Sequence, residues 1–518
     1  MKKFAMALTL TGGVFSAGLA VQADAAEFHY HSRHIPAEHL DLTKHWAKVT
    51  RDGGLCDCLE PDRIAELKSA GVDTIELRLV WWALEKNRGV YDFSRLDRDM
   101  AKVERAGLTP GLMAWLNHPP SWYKGTTFEC AVHHARGSTL SAWDPFAVEI
   151  ADKVYAATAA RYGKRIGYVY VTGSGDYGEP TLPHGVDHYH FSSPHRHDGL
   201  GWTGDAFARA AWAKISSVPI EDVLAGKADR ATALAYADFI ADRTAGYAAD
   251  MYRVIRRHFP WARYGHPIGH TAEYFYGQNR ARVVKRLCEV SPDITCRWTG
   301  LAYYGSFHRS NVIARRVSSA CHFYGCAFGE EASTPESIAG RNAANAIYEM
   351  IANDTTMIHN DYGNIIRSGK ENVERAKNLP HEPFVCDVAV LWPDIPEKIA
   401  AVPFVGRGER PSPHAVMNAF LDAAGEFRKR TDYEICDLGM IADGFLEKRN
   451  IRKLVVFHAL EPEEEAALAS FRKGGGCVTD GREFPPPPEP LVFTTQHRTF
   501  VSTFNPETGE ITFEKKSK

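Results

Sequence analysis

The sequence lacks the features that mark nucleic-acid-binding, fibrous, disordered and membrane-spanning proteins. Its 61 Lys and Arg residues are outnumbered by 64 Asp and Glu residues, so a net charge of −3 leaves no positive field to hold a phosphate backbone. No internal repeat is visible, and 44% hydrophobic and 24% charged residues are ordinary for a globular chain. Beyond the N-terminus, no apolar run is long enough to span a membrane. We therefore expect a folded chain of about two to four domains.

The N-terminus has the composition of a secretory signal peptide. Lys2 and Lys3 precede an apolar stretch from Phe4 to Val21, and the small residues of Ala23-Asp24-Ala25 match a cleavage site. We expect residues 1–25 to be removed after Ala25, which predicts a secreted or periplasmic protein. An uncleaved N-terminal anchor is the alternative.

Export makes the ten cysteines candidates for disulfide bonds. Two short-range pairings are predicted, Cys288 with Cys296 and Cys321 with Cys326, and Cys56 or Cys58 is expected to pair with Cys130. A metal site is not predicted, because the chain has neither a Cys-x-x-Cys pair nor matched Cys and His spacing.

Short apolar runs alternate with helical stretches from about Pro61 to Asn364, the pattern of repeated βα units around a parallel sheet. The seven predicted strands are Thr74–Trp82, Pro110–Leu116, Ile166–Thr172, Arg263–Ile268, Cys296–Tyr304, Cys321–Phe328 and Thr356–Ile358. An eighth is expected before Pro61, around Phe28–Arg33. Eight strands predict a (β/α)8 TIM barrel over residues 26–380, with functional residues at the C-terminal ends of the strands.

A second unit begins after the turn-rich residues 378–383. Its predicted elements are the strands Val385–Trp392 and Lys453–Phe457 and the helices His414–Arg430 and Pro462–Arg472. They indicate a smaller α/β domain over residues 384–483. The remaining residues 484–518 predict a proline spacer and a C-terminal β-hairpin.

Two sequence blocks carry the strongest functional signal. The first runs from Glu76 to Glu85 and is followed by Gly-Val-Tyr-Asp-Phe at 89–93, and the second runs from Gly111 to Trp122 and ends in a Pro-Ser-Trp turn. Both resemble strand signatures of clan A glycoside hydrolases, especially the family 42 β-galactosidases. Val388–Pro393 and the later Leu454–Phe457 with its triple glycine are similar to the glutamine-amidotransferase-like trimerisation domain of that family.

The resemblance implies a TIM barrel followed by a small α/β domain, a carbohydrate substrate and a homotrimer. It also implies retaining hydrolysis of a β-glycosidic bond, with a β-galactoside as the first expectation and no cofactor. Sugars present flat C–H faces and hydroxyl groups, so their pockets combine aromatic platforms with a few polar groups. The candidate substrate-binding residues are Arg78, Trp81, Trp82, Trp115, Asn117, His118, Trp122, His266, Tyr303, Tyr304 and Asn360.

Glycoside hydrolysis usually needs two carboxyl groups that flank the scissile bond. After the fourth predicted strand the candidates are Glu179 and Asp176. The family usually has an Asn-Glu pair there and this chain has none. Glu179 is favoured because the shorter aspartate reaches less far, and Asp176, which an alignment on the preceding glycine would select, stays open. After the seventh strand the candidates are Glu330 and Glu331, which face opposite sides of a strand. Glu331 is favoured because it shares a face with small residues such as Gly329.

In the resulting interpretation, Glu331 attacks the anomeric carbon and Glu179 is the general acid and base. Two alternatives remain. One is a clan A hydrolase that acts on another or a modified polysaccharide. The other is a glycan-binding protein without catalytic activity.

Overall fold

A curved parallel sheet of seven strands lies at the centre of the protein. The computed structural model describes residues 61–175, 178–183, 199–270, 272–299, 307–332, 349–360, 385–487, 491–496, 500–505 and 510–515. The strands of this sheet, in their spatial order, are β1 (Thr74–Val80), β2 (Thr109–Trp115), β5 (Tyr168–Tyr170), β6 (Arg263–Ile268), β7 (Thr295–Thr299), β8 (Ala327–Ala332) and β9 (Thr355–Asn360). All neighbouring strands are parallel. Spatial order thus follows chain order, as in a (β/α)8 barrel.

Helices precede and connect the strands of this sheet. They are α1 (Pro61–Ser69), α2 (Trp81–Leu84), α3 (Ser94–Arg105), α4 (Phe146–Tyr162), α5 (Ala206–Trp212), α6 (Ile220–Leu224), α7 (Arg230–His258), α8 (Arg280–Val290) and α9 (Phe307–Tyr324). A short antiparallel pair, β3 (Thr127–Glu129) and β4 (Arg136–Leu140), follows β2. None of the helices among the described residues is long and apolar enough to cross a bilayer.

The seven strands lie close to their predicted positions, with one error. The run Cys321–Phe328 was predicted to be a strand, but α9 continues to Tyr324 and β8 begins at Ala327. Short apolar runs do not distinguish a buried helix from a buried strand, and here a helix that packs on both β7 and β8 continues into the run. The predicted eighth strand and the signal peptide lie outside the described residues.

A second, four-stranded parallel sheet has the order β11, β10, β12, β13. Its strands are β10 (Val388–Leu391), β11 (Glu434–Cys436), β12 (Lys453–Val455) and β13 (Cys477–Thr479), and its helices are α10 (Asp394–Ala401), α11 (Pro413–Arg428), α12 (Leu438–Ala442), α13 (Phe445–Lys448) and α14 (Pro462–Lys473). The C-terminal residues form an antiparallel sheet of β14 (Phe493–Gln496), β15 (Phe500–Asn505) and β16 (Glu510–Lys515). The sequence predicted the last two of these strands as a hairpin, but not β14.

A buried charge network joins the second sheet to the barrel. The Arg316 guanidinium on α9 is fully buried, and its Nε donates to Glu273 Oε1 at 3.0 Å while its Nη2 donates to Asp437 at the start of α12. Arg280 Nη1 donates to the same Glu273 oxygen at 2.9 Å. Because a buried charge is stable only with a partner, these contacts require the two units to pack against each other.

The cysteines among the described residues are all free thiols, eight in number. The predicted bridges Cys288–Cys296 and Cys321–Cys326 are therefore absent from the structure. The third predicted pairing involves Cys56 or Cys58, which lie outside the described residues.

Candidate active site

Charged side chains meet on the faces of four strands that point into the barrel. A strand that is covered on both faces usually carries apolar residues there. The charged residues are Glu76 and Arg78 on β1, Arg297 on β7, Glu331 on β8 and His359 on β9. The register places Glu331 between Thr299 and His359. His359 Nε2 also lies 3.0 Å from Glu76 Oε2, a contact that joins the last strand of the sheet to the first.

Glu331 is the most exposed member of this group, with 19% of its side chain exposed, followed by His359 at 15% and Arg78 at 13%. Its carboxylate forms an ion pair with Arg297, and Thr299 Oγ1 donates to its Oε2 at 3.5 Å. His359 Nδ1 lies 3.6 Å from the same oxygen. One carboxylate oxygen is thus held by three neighbouring groups.

Glu76 is the buried counter-charge of the group. Its Oε1 accepts a hydrogen bond of 3.0 Å from Arg78 Nε. Burial alone would raise the pKa of Glu76, but Arg78 and His359 together lower that pKa to about 2. Glu76 is therefore a carboxylate at all ordinary pH values. Burial and the neighbouring Arg297 lower the pKa of His359, which favours the neutral imidazole.

Arg297 pairs with one predicted catalytic carboxyl group, Glu331, and is affected by the charge of the other, Glu179. Its side chain is 3% exposed, and it lies over the ring of Tyr170 at 5.8 Å from the centroid. Burial lowers the pKa of this guanidinium, while the negative charges of Glu76 and Glu179 oppose that change. The charge of Glu179 thus acts on the same guanidinium that pairs with Glu331.

Glu179 lies in a tight loop after β5. Gly178 has a φ of +94°, a left-handed conformation that favours glycine, and the Gly173 amide donates to the Gly178 carbonyl at 2.6 Å. The Glu179 side chain is buried against Gly269, where an added Cβ would lie 3.2 Å from the Glu179 Cγ and Oε1 atoms. The absence of a side chain at Gly269 makes room for this carboxyl group at the end of β6.

Glu330 lies on the opposite face of β8 from Glu331. It is fully buried, and Thr355 Oγ1 donates to its Oε1 at 3.2 Å. Burial, together with the charge of Glu349, raises the pKa of Glu330 to about 8. The structure does not bring Glu330 to the group around Arg297, because successive residues of a strand alternate between the two faces.

The predicted aromatic platforms divide between two apolar clusters. Trp115 belongs to a small cluster inside the barrel, the interior cluster, and Trp82 packs against it. The Arg78 guanidinium lies over the Trp115 ring at 4.6 Å from its centroid, which connects the interior cluster to the charged group. Trp82 and Trp115 are therefore the two predicted tryptophans that accompany the candidate site.

Trp81 and Trp122 lie outside the barrel interior, in or against the main core. Trp81 is fully buried and its Nε1 donates to Glu85 Oε2 at 2.6 Å, so the ring offers no free face to a sugar. Trp122 packs edge-on against it with the centroids 5.8 Å apart, and donates to the Glu85 carbonyl at 2.7 Å. The structure gives both residues a packing role.

Three predicted polar residues are buried supports of the loops. Asn117 Nδ2 donates to the Gly175 carbonyl at 2.7 Å, which ties the loop after β2 to the loop that carries Glu179. His118 is 1% exposed, with its ring 6.0 Å from that of Trp115. His266 is fully buried with Nδ1 2.8 Å from the Val171 carbonyl, and burial lowers its pKa to about 4. The neutral His266 therefore donates from Nδ1 to this carbonyl.

Four other predictions lie outside the described residues in whole or in part. Asp176, Tyr303 and Tyr304 are not described, and Asn360 is described as the last residue of β9 without its side chain.

Sequence reasoning missed Glu76, Arg297 and His359 as members of the site. Each is a charged or titratable residue inside an otherwise apolar strand, and that position is itself a signal, because such residues are seldom buried without a partner. The alternation of Glu76 and Arg78 on one face of β1 was visible in the sequence. Their partners were not, because β7 and β9 are more than two hundred residues away in the chain.

The chain is similar in fold to family 42 β-galactosidases. It matches the GH42 β-galactosidase Gan42B of G. stearothermophilus with a TM-score of 0.56 and 14% identity, over 83% of this chain and 71% of that one. The β-galactosidase of the haloarchaeon Halorubrum lacusprofundi gives 0.55 and 14% over 85% and 75% of the two chains. That of Rahnella sp. R3 gives 0.55 and 13% over 85% and 73%.

Sequence similarity is confined to a short stretch. An 80-residue segment is 34% identical to the β-galactosidase BbgII of Bifidobacterium bifidum, which amounts to 15% of this chain and 12% of that protein. The chain thus aligns with about an eighth of the length of this curated relative. No family model matches the chain. The architecture is accordingly that of a TIM barrel, and the chain resembles family 42 glycoside hydrolases of clan A.

Proposed function

We propose that this protein is a glycoside hydrolase that cleaves a β-glycosidic bond with retention of configuration, with a terminal β-galactoside as its first candidate substrate. The observation that carries the proposal is the position of Arg297, which pairs with Glu331 and is acted on by the charge of Glu179. Glycoside hydrolysis needs two carboxyl groups that flank the scissile bond. Glu179 and Glu331 come from different strand ends and both act on this one guanidinium.

In the proposed reaction, a Glu331 oxygen attacks the anomeric carbon and the bond from that carbon to the leaving oxygen breaks. Glu179 gives its proton to the leaving oxygen and the glycosyl group is bonded to Glu331. Glu179 then takes a proton from a water molecule, whose oxygen attacks the same carbon and releases Glu331. Arg297 and Thr299 hold the attacking carboxylate, and the half-buried Trp82 supplies an apolar face for the sugar.

The first test is hydrolysis of an aryl-glycoside panel of β-galactoside, β-glucoside, β-fucoside, α-arabinoside and β-glucuronide. Glu179→Gln should lower kcat by about 10²- to 10⁴-fold, and Glu331→Gln should lower it at least as much. Glu330→Gln is the matched control, because it makes the same change one residue away on the other face of β8 and should retain activity. Asp176→Asn tests the alternative acid.

Substrates with different leaving groups distinguish the two roles. A dinitrophenyl glycoside needs little protonation, so Glu179→Gln should retain far more activity on it than on a methyl glycoside. Added azide should restore turnover to Glu331→Ala with inverted configuration. Loss of activity in Asp176→Asn with full activity in Glu179→Gln would assign the acid to Asp176. Binding of oligosaccharides without cleavage of any substrate would contradict the enzyme proposal and favour a glycan-binding protein.

Retention of configuration is tested separately from hydrolysis, by identifying the first product anomer. A retaining enzyme has its carboxyl groups about 5–5.5 Å apart and an inverting one about 6.5–9.5 Å. The first product anomer, observed by NMR before mutarotation, should have the configuration of the substrate. The opposite anomer would refute the Glu331 nucleophile while leaving hydrolysis intact.

We also propose that the protein is exported, with cleavage after Ala25, and that it forms a homotrimer. The sequence of the N-terminus supports the first proposal, and the likeness of the second unit to a trimerisation domain supports the second. N-terminal sequencing of the mature protein tests the first, and light scattering tests the second. An intact Met1 or a monomer would contradict them.

A further inference from the structure

Four cysteine thiols meet on the helix side of β7 and β8, behind the candidate site. The Sγ atoms of Cys296, Cys321 and Cys326 lie within 4.8 Å of one another. The thiol of Cys288 lies beside that of Cys326. We call these four residues the thiol cluster. None of them is disulfide-bonded.

The local structure explains how the four residues meet. Cys321 lies in the last turn of α9, and Gly325, with a φ of +89°, lets the chain reverse after the helix ends. The Cys326 amide then donates to the Cys321 carbonyl at 3.0 Å, which brings the two thiols together. Cys296 is on β7, next to Arg297 but on the other face, and Cys288 is near the end of α8.

Burial alone does not account for the cluster. Free cysteines are often buried as small apolar residues, and Cys436 is a fully buried example outside the cluster. In the cluster, however, the Cys326 thiol adjoins all three others. Two disulfides would pair four sulfur atoms two by two, whereas one sulfur here adjoins three.

A tetrahedral metal ion brings its ligand atoms together in this way: three sulfur atoms lie within 4.8 Å of one another, and a fourth thiol lies beside one of them. With zinc–sulfur bonds of about 2.3 Å, the sulfur atoms of a four-cysteine site lie about 3.8 Å apart. We infer that Cys288, Cys296, Cys321 and Cys326 bind one Zn²⁺ ion as four thiolates. A site closed by four protein ligands has no open position for substrate, so its role is structural.

Cys288 is the partly exposed member of the thiol cluster. It lines an open cleft of about 360 Å³ together with Lys285, Lys448, Glu289 and Asp443. Lys285 pairs with Asp443 at 2.7 Å, so the positive and negative charges of the cleft balance each other. Solvent therefore reaches the cluster at Cys288.

The inferred ion would tie two helices to the strands that carry the candidate site. Cys296 precedes Arg297 directly, and Cys326 is five residues before Glu331. Zinc would thus hold β7 and β8 from behind while Arg297 and Glu331 meet in front. The inference does not depend on the proposed glycosidase activity, because metal binding is measured without a substrate.

The experiment is metal analysis of the full-length protein purified without chelator or added reductant. Elemental analysis by inductively coupled plasma mass spectrometry should find about one zinc ion per chain. A mercurial that titrates thiols should release that zinc to a chelating dye as the four cluster thiols react. Cys296→Ser and Cys321→Ser should reduce the zinc content to near zero, and Cys436→Ser, which removes a buried thiol elsewhere, should retain it.

Cobalt substitution of the wild-type protein keeps the test decisive if the serine variants do not fold. Tetrahedral Co²⁺ bound by thiolates should give visible ligand-field bands and a near-ultraviolet sulfur-to-metal band, both of which zinc abolishes. Purified protein without metal and without the cobalt spectrum would overturn the inference. So would peptide mapping that finds Cys288, Cys296, Cys321 and Cys326 in disulfide bonds.

Discussion

The substitution Glu330→Gln tests the raised pKa of a buried carboxyl group on the face of β8 opposite Glu331. The pKa of this buried carboxyl group rises from 4.5 to about 8, because burial and the nearby Glu349 disfavour its charged form, and Arg315 opposes them only in part. Each tenfold change in proton affinity is worth about 1.4 kcal/mol, so ionisation of Glu330 in the folded protein costs up to about 5 kcal/mol. At neutral pH the folded protein therefore carries an uncharged acid that glutamine imitates in shape.

The sign of the pH dependence follows from this. The unfolded chain loses the Glu330 proton near pH 4.5 and the folded chain near pH 8, so the folded state binds more protons in between. The contribution to stability is complete below about pH 4.5 and is lost as the pH rises through about 8. Glu330→Gln should remain within about 1–2 kcal/mol of the wild type at pH 5. At pH 9 it should be more stable than the wild type by about 2–4 kcal/mol.

The assay is urea denaturation, followed by tryptophan fluorescence, at several pH values from 5 to 9. A smaller slope should persist in the variant, because burial also raises the pKa of Glu349, to about 7. The same substitution at Glu426, whose side chain is 68% exposed, is the control and should leave the wild-type profile unchanged. Parallel stability profiles for Glu330→Gln and the wild type would refute the reasoning.

Three further predictions concern the site and the interface between the two units. Glu76→Gln removes the counter-charge of Arg78 and should cost about 3–5 kcal/mol at pH 6 in urea denaturation. Because the folded pKa of Glu76 is about 2, its contribution to the free energy of unfolding is present above about pH 4.5 and is lost toward pH 2. The stability difference between Glu76→Gln and the wild type should therefore be smaller at pH 3 than at pH 6. An equal difference at both pH values would contradict this. Arg316→Leu leaves Asp437 buried without its cation and should lower the free energy of unfolding by about 3–5 kcal/mol. An unchanged midpoint of urea denaturation would show that the buried charge network does not stabilise the protein. Trp82→Ala should raise the KM of the glycoside that is hydrolysed about tenfold, worth about 1.4 kcal/mol, and an unchanged KM would remove Trp82 from the binding site.

The parallel sheet was predictable because its strands are local signals. A strand buried on both faces is a run of apolar residues, and β1, β2 and β6 each lie within two residues of their predicted bounds. The boundary between α9 and β8 was not predictable in the same way. Cys321 and Phe328 belong to one apolar run, and the chain reversal at Gly325 that divides it depends on how α9 packs.

The candidate site was likewise predictable from the sequence only in part. The sequence restricted the second carboxyl group to Glu330 or Glu331, since both follow a predicted strand. The barrel then decided which one meets Arg297. A strand exposes alternate residues to opposite faces, so a shift of one position in register would have exchanged the two. The sequence also does not tell which of Trp81 and Trp82 faces the candidate site, because these adjacent tryptophans of one motif lie in different apolar clusters.

The sequence by itself determined the class of fold, the order of the βα units and the strand ends at which carboxyl groups occur. Hydrophobic patterning and turn residues act over a few neighbouring positions, so they can be read without coordinates. The tertiary structure decided which distant groups meet: Glu76 with His359, Arg297 with Glu331, and the four thiols of Cys288, Cys296, Cys321 and Cys326. These contacts join residues on different strands and helices, and they form only when the sheet curves and the helices pack against it.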